Sequence, residues 1–190
     1  MRLKHLQGFT LRATSALAMA CVLSLNTMAA AVTAQHADWL TFKSDDASLV
    51  FDYPAGIFSE QQGDPTDALQ NRTQERNGRT FASADGKAVL QVGTFPNLDN
   101  TKVDELRKRA IAASYADAKL DYNRIASNWY VISGTRADET FYERVHFSCN
   151  NRRLDIWSMT YPTSQAPLYD GIIEDMSRRF RSTWSNIRCS

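Results

Sequence analysis

Histidine and cysteine are scarce in this chain. Only three histidines and three cysteines occur among its 190 residues. His5 and His36 lie near the N-terminus, so His146 is the histidine of the predicted fold. A structural zinc site needs four cysteine or histidine ligands, and Cys149 and Cys189 with one histidine do not supply them. We therefore predict no metal and no cofactor.

Several motifs of hydrolytic and nucleotide chemistry are missing as well. The sequence contains no Gly-x-Ser-x-Gly, no phosphate-binding glycine-rich loop and no His-Glu-x-x-His. These motifs mark serine hydrolases, nucleotide-binding proteins and zinc proteases respectively. Their absence argues against metal and nucleotide chemistry.

Acidic residues are absent from the first 34 positions, where Arg2, Lys4 and Arg12 give a basic start. A largely apolar run from Ala16 to Ala31 follows, and Val32-Thr33-Ala34 then offers small residues for a signal peptidase. The run is too short and too rich in alanine to span a membrane, and this arrangement is typical of a secretory signal peptide. We predict a signal peptide over residues 1–34, and a periplasmic or secreted protein.

Two other processing sites stay open. Cleavage after Ala29-Ala30-Ala31 would make Val32 the first residue of the exported protein. Ala18-Met19-Ala20-Cys21 resembles a lipoprotein site, although alanine stands where leucine is usual and apolar residues continue beyond Cys21. Cleavage after Ala34 remains the main prediction.

The segment that remains, residues 35–190, is long enough for one domain with a hydrophobic core. The first 34 residues carry three positive and no negative charges, so their loss changes the net charge from +1 to −2. A slightly acidic domain without a basic block argues against a nucleic-acid partner. We also predict no transmembrane segment in the exported chain.

The two cysteines that remain in the exported chain, Cys149 and Cys189, favour a disulfide in an oxidising compartment. The closed loop of about 40 residues corresponds to roughly 4 kcal/mol in the chain-entropy model, less any strain. Two unpaired buried thiols are the alternative.

The alternation of apolar residues and turn signals predicts a series of strands and one long excursion. Predicted strands cover residues 39–43, 49–53, 80–83, 88–95, 119–124, 129–135, 141–149 and 152–161. From Ser59 to Arg79 only Ala68 and Leu69 are apolar, so we expect a long exposed loop there. A functional role for that loop stays open.

Two helices are predicted. Thr101 is the expected cap of the first, which runs to about Tyr115. The second has Ser164 as the expected cap and Pro167 in its first turn. Its apolar stripe recurs every four residues and comprises Leu168, Ile172, Met176 and Phe180. Two helices with a mostly antiparallel sheet indicate an α+β fold.

The segment Leu-Val-Phe-Asp-Tyr-Pro-Ala-Gly-Ile-Phe at 49–58, with the late strands running into the terminal amphipathic helix, resembles the PsbP-like fold family. That family is an α-β-α sandwich found in small exported and lumenal proteins. The resemblance implies a non-enzymatic accessory or binding protein. It supplies no shared catalytic residues.

The last two strands form a predicted hairpin. A two-residue turn of Asn150-Asn151 suits type I′ geometry, because asparagine tolerates positive φ. This register pairs Phe147 with Leu154 and Val145 with Ile156, so one face is apolar apart from Glu143. A shift by one residue would scatter the apolar set over both faces.

The opposite face of this hairpin is the candidate binding face. In the preferred register His146 lies opposite Asp155 and Arg144 lies opposite Trp157, close enough for an ion pair and a cation–π contact. We expect the carboxylate to raise the pKa of His146. The candidate binding residues are Tyr142, Arg144, His146, Asp155, Trp157 and Tyr161.

Three functions remain open for this face. Aromatic residues interleaved with arginine favour binding to a protein or small ligand of the cell envelope. A small periplasmic hydrolase built on Ser148, His146 and Asp155 is the alternative, although Ser148 and His146 stand side by side on one strand. A structural protein without a defined ligand is the third.

Overall fold

The computed structural model describes residues 38–44, 49–61 and 77–182. These ranges contain two α-helices and ten strands, and every strand pair in them is antiparallel. The fold class is α+β, as the sequence predicts. None of the helices in these ranges has the length and apolar character needed to span a membrane.

The elements follow one another along the chain with short connections in the second half. The strands are β1 Trp39–Lys43, β2 Leu49–Pro54, β3 Phe58–Glu60, β4 Asn77–Ser83, β5 Val89–Pro96, β6 Lys119–Ile125, β7 Trp129–Arg136, β8 Glu139–Ser148, β9 Arg153–Pro162 and β10 Arg181–Ser182. Helix α1 is Val103–Ser114, a 3₁₀ turn covers Thr163–Gln165, and helix α2 is Ala166–Arg179.

A seven-stranded sheet forms the centre of the fold. Its strand order is β3-β4-β5-β9-β8-β7-β6, and a second sheet has the order β1-β2-β10. The β8–β9 pairing has the predicted register, with Phe147 opposite Leu154 and His146 opposite Asp155. Asn150 and Asn151 have φ values of 51° and 71°, and Arg152 N–H donates to Cys149 O at 3.1 Å. The turn is therefore closed through two residues with positive φ, as a type I′ turn requires.

Each face of the seven-stranded sheet carries its own hydrophobic core. One core packs α1 against side chains of β5, β7, β8 and β9, among them Tyr130, Val145 and Ile156. The other packs α2 and β2 against the opposite face, where Trp157 and Met159 lie. Because both faces are covered at β9, the alternation along β9 separates two cores rather than core from solvent.

The core beneath α1 contains a buried glutamate. Glu143 is 5% exposed, and its two carboxylate oxygens accept hydrogen bonds from Tyr130 Oη at 2.7 Å and Tyr115 Oη at 3.0 Å. A buried carboxylate needs such donors, because burying it without them is costly. The single polar side chain of the predicted apolar face is thus accommodated by tyrosines.

The predicted cap residues are wrong for both helices. At α1 the N-cap is Lys102, while the main chain of Thr101 is held by the Asn97 side chain, with N–O distances of 3.0 and 2.9 Å. At α2 the N-cap is Gln165, because the 3₁₀ turn delays the start of the helix beyond Ser164. The predicted stripe of α2 is confirmed at its buried members Ile172, Met176 and Phe180.

The expected loop over 59–79 is shorter than predicted at both ends. Ser59 and Glu60 belong to β3, and β4 begins at Asn77. Main-chain pairing with β4 and β5 stabilises these polar residues as strands despite their weak apolar pattern. Residues 62–76 lie outside the described ranges, as do the predicted signal peptide and its cleavage sites.

Candidate functional site

Helix α2 covers much of the predicted binding face. Trp157 and Asp155 are 0% exposed and Tyr161 is 2% exposed. Trp157 lies between the rings of Tyr142 and Phe51, with centroid distances of 4.5 and 5.5 Å. The prediction that these three residues present themselves to a partner is therefore wrong, because the second core occupies their side of the sheet.

Asp155 has hydroxyl partners instead of the expected histidine. Its Oδ2 accepts hydrogen bonds from Ser182 Oγ at 2.7 Å and Ser148 Oγ at 3.2 Å. Burial raises the pKa of Asp155, and the hydroxyls of Ser182, Thr94 and Ser148 and the charge of Arg153 oppose that shift. The carboxylate thus ties β10 to the β8–β9 hairpin.

His146 is oriented by a different neighbour. Its Nε2 lies 2.9 Å from Asn128 Nδ2. Burial, and then the positive charge of Arg144, lower the pKa of His146, so the expected rise is wrong. A lowered pKa means that the unfolded chain takes up a proton first, so this group's contribution to stability is lost as pH falls below about 6.5.

The same contacts remove the geometric basis of the hydrolase alternative. Ser148 donates to Asp155, and His146 is bonded to Asn128 rather than to either member of the expected triad. A nucleophilic triad needs serine bonded to histidine and histidine bonded to the carboxylate. The three residues are neighbours on the sheet, but they do not form that chain of hydrogen bonds.

Part of this sheet face extends beyond α2, across β6, β7 and β8. Opposed residues of antiparallel strands share a face, and the registers form the rows Tyr122–Ser133–Tyr142, Arg124–Val131–Arg144 and Trp129–His146. Tyr122 is 46% exposed, Arg124 is exposed, and Trp129, Arg144 and His146 are half-buried. We call these five residues the open sheet face.

Arg144 is held in place between aromatic rings. Its guanidinium carbon lies 5.8 Å from the Trp129 ring centroid and 5.1 Å from that of Phe180. The expected contact with Trp157 is replaced by these two. Arg144 Nη1 also donates to the carbonyl oxygen of Ser177 at 3.3 Å, near the end of α2.

Tyr142 marks the border between the open sheet face and the core. Its hydroxyl lies 3.1 Å from Ser177 Oγ, and its ring stacks on Trp157. Burial raises the pKa of Tyr142, which keeps the phenol neutral. Of the six predicted binding residues, Arg144 and His146 belong to the open sheet face and Tyr142 lies at its inner limit.

The two arginines of the open sheet face have no acidic partner among the residues that the structure describes. Carboxylates pair with Arg79, Arg107, Arg109, Arg136, Arg178 and Arg181. Arg124 and Arg144 have no carboxylate within ion-pair distance in the described part of the chain. They stand two strands apart in one row, which places their Cα atoms about 10 Å apart.

The architecture is similar to that of cyanobacterial PsbP from Synechocystis sp. PCC 6803, with a TM-score of 0.51 and 14% identity over 77% of this chain and 93% of that one. The Ran-binding protein Mog1p of Saccharomyces cerevisiae aligns with a TM-score of 0.47 and 10% identity over 77% of this chain and 96% of that one. No family model matches the chain, and no curated protein does. The likeness to cyanobacterial PsbP confirms the PsbP-like fold that the sequence predicts.

Sequence reasoning missed three members of the open sheet face, namely Tyr122, Arg124 and Trp129. The strand period of two residues already indicated them. Every second residue of a strand lies on the same face, which groups Trp129, Val131 and Ser133 of β7 and groups Tyr122 and Arg124 of β6. Extending the hairpin register to the two preceding strands would have brought these residues beside Arg144 and His146.

The predicted disulfide is outside what the structure describes. Cys149 directly follows β8 in a left-handed conformation with φ of 55°. Cys189 lies beyond the described residues, so the bridge between the two cysteines stays a prediction.

Proposed function

We propose that the chain is an exported, non-enzymatic binding protein of the cell envelope that docks a partner protein on the open sheet face. The signal-like residues 1–34 support export. The observation that carries the binding role is the pair of arginines, Arg124 and Arg144, that stand beside Tyr122 and Trp129 without a carboxylate in the described chain.

The chemistry of this surface suits protein recognition. Arginine, tyrosine and tryptophan are the residues that contribute most at the centres of protein interfaces. Arg144 is preorganised, because Trp129, Phe180 and Ser177 hold its guanidinium before any partner arrives. A side chain that is already ordered loses little conformational entropy on binding.

A photo-crosslinking amino acid at position 122 tests this proposal in cells that export the protein. We expect crosslinks to an envelope protein from position 122, and their loss when Arg124 is changed to glutamate. The same crosslinker at Leu40, which is 54% exposed on β1, serves as the matched control.

Arg124→Glu alters an exposed side chain, so it should leave the fold intact. Arg109→Glu on α1 makes the same charge change at a position away from the open sheet face. Equal crosslinking from Leu40, or equal loss with Arg109→Glu, would contradict the proposal.

A further inference from the structure

Strand β6 is the outermost strand of the seven-stranded sheet on the side of the open sheet face. It carries Tyr122 and Arg124 of that surface. Building on the proposed function, we infer that the partner contributes an extended acidic segment that pairs with the outer edge of β6 as an eighth strand. The backbone of β6, the irregularity in its first half and the side chains of its second half support this pairing.

The backbone alternation identifies the outward-facing groups. Ala126 N–H donates to Trp129 O at 2.8 Å, so these residues form a hydrogen-bonded pair at the β6–β7 turn. Hydrogen-bonded and non-hydrogen-bonded pairs alternate along an antiparallel ladder. Counting back in register, Arg124 bonds toward β7, whereas the N–H and C=O groups of Ile125 and Asn123 point outward.

The first half of β6 is irregular, and this irregularity discourages another strand from pairing there. The register shifts between Leu120 and Tyr122, and Lys119 Nζ pairs with Asp121 Oδ1 at 2.8 Å. The strands approach closely there, since a side chain at Gly134 would place its Cβ 2.1 Å from Lys119 O. Bulges and charges of this kind discourage pairing at a sheet edge. The regular stretch 122–125 carries no such bulge.

The side chains of that stretch define the partner. A strand added to β6 would place alternate side chains beside Tyr122 and Arg124 on one face, and beside Asn123 and Ile125 on the other. Arg124 has no carboxylate partner in the described ranges, so an acidic residue complements it across the strands. Ile125 is 45% exposed, so an apolar residue complements it on the opposite face. The partner segment therefore alternates acidic and apolar residues.

A short blocked peptide of alternating glutamate and valine is the probe for this inference. We expect it to slow hydrogen exchange of the Asn123 and Ile125 amides, measured by NMR on the exported protein, and to leave the Arg124 amide unchanged. A peptide of alternating lysine and valine should bind about tenfold more weakly, because it places like charges beside Arg124.

Ile125→Pro is the decisive variant, because proline removes only an outward-facing N–H and is tolerated on an edge strand. We expect this variant to abolish peptide protection of the Asn123 amide, while Ile125→Val retains it. Should the proline variant not fold, Arg124→Glu provides the second test, since it should reverse the preference toward the lysine peptide.

Equal peptide binding by Ile125→Pro and Ile125→Val, or no change in amide exchange, would overturn the inference. Crosslinks from position 122 that persist in Ile125→Pro would overturn it too, while the open sheet face would stand as a docking surface. If the amides of β6 are protected from exchange without peptide, and this protection depends on protein concentration, a second copy of the chain occupies the edge. That result would also overturn the inference.

Discussion

Replacing Trp157 by alanine tests whether the predicted binding face is instead the core beneath α2. The indole is 0% exposed, and it contacts the rings of Tyr142 and Phe51 at centroid distances of 4.5 and 5.5 Å. Its Nε1 is buried without a hydrogen-bond partner in the described part of the chain. The substitution therefore opens a cavity and also removes an unsatisfied donor.

The expected loss follows from these contacts. Truncating a buried tryptophan costs about 3 to 5 kcal/mol, and losing two ring pairs places this site toward the upper end. Removing the unsatisfied N–H returns about 1 kcal/mol. We expect the free energy of unfolding to fall by about 4 kcal/mol, a large part of the stability of a small domain. Trp157→Phe keeps a ring and removes the donor, so it should change stability by no more than about 1 kcal/mol.

Urea denaturation of the wild type and both variants measures these values, provided that the slope with denaturant is unchanged. Trp129→Ala, on the open sheet face, is the matched control and should cost about 1 kcal/mol, because its side chain is half-buried. A loss below about 1 kcal/mol for Trp157→Ala would refute the assignment of Trp157 to the core. Equal losses for the alanine and phenylalanine variants would show that ring packing is not what stabilises this site.

Three further predictions concern titration and processing. Burial raises the pKa of Asp155, so ionising this carboxyl group costs stability as pH rises from about 3.9 through the raised pKa. In urea titrations, the stability of Asp155→Asn relative to the wild type should therefore increase over that pH range and then level off. A difference in stability that does not depend on pH would contradict this. Mass spectrometry of the exported protein should show Gln35, or Val32 after the alternative cleavage, as its first residue, whereas an acylated Cys21 at the N-terminus would make it a lipoprotein. Thiol titration without reductant should find Cys149 and Cys189 unreactive, and two free thiols would exclude the bridge.

Much of the fold could be predicted from local sequence. Apolar alternation and turn residues located β1, β2 and the β8–β9 hairpin, and Asn150-Asn151 determined the hairpin register. A slip by one residue would move every side chain to the other face, so the apolar set of β8 and β9 allowed only one pairing. Apolar residues that recur at every fourth position identified α2, because residues at that spacing lie on one face of a helix.

Other elements could not be predicted, because their stability comes from distant partners. Strands β3 and β10 comprise three and two residues, and they exist as strands through pairing with β4 and β2. The capping prediction failed at Thr101 because Asn97, four residues earlier, holds its main chain in a buried loop. Short strands and caps of this kind depend on tertiary context more than on propensity.

The sequence by itself determined which side chains of β8 and β9 share a face, because the period of a strand is fixed at two residues. It could not determine what covers each face. Only the packing of α2 and β2 decided that Trp157 is a core residue, and only the pairing of β10 placed Ser182 on the buried Asp155, whereas Arg144 and His146 lie on the part of the face next to β7. Periodicity is a property of the local backbone, but burial depends on which distant element docks on it.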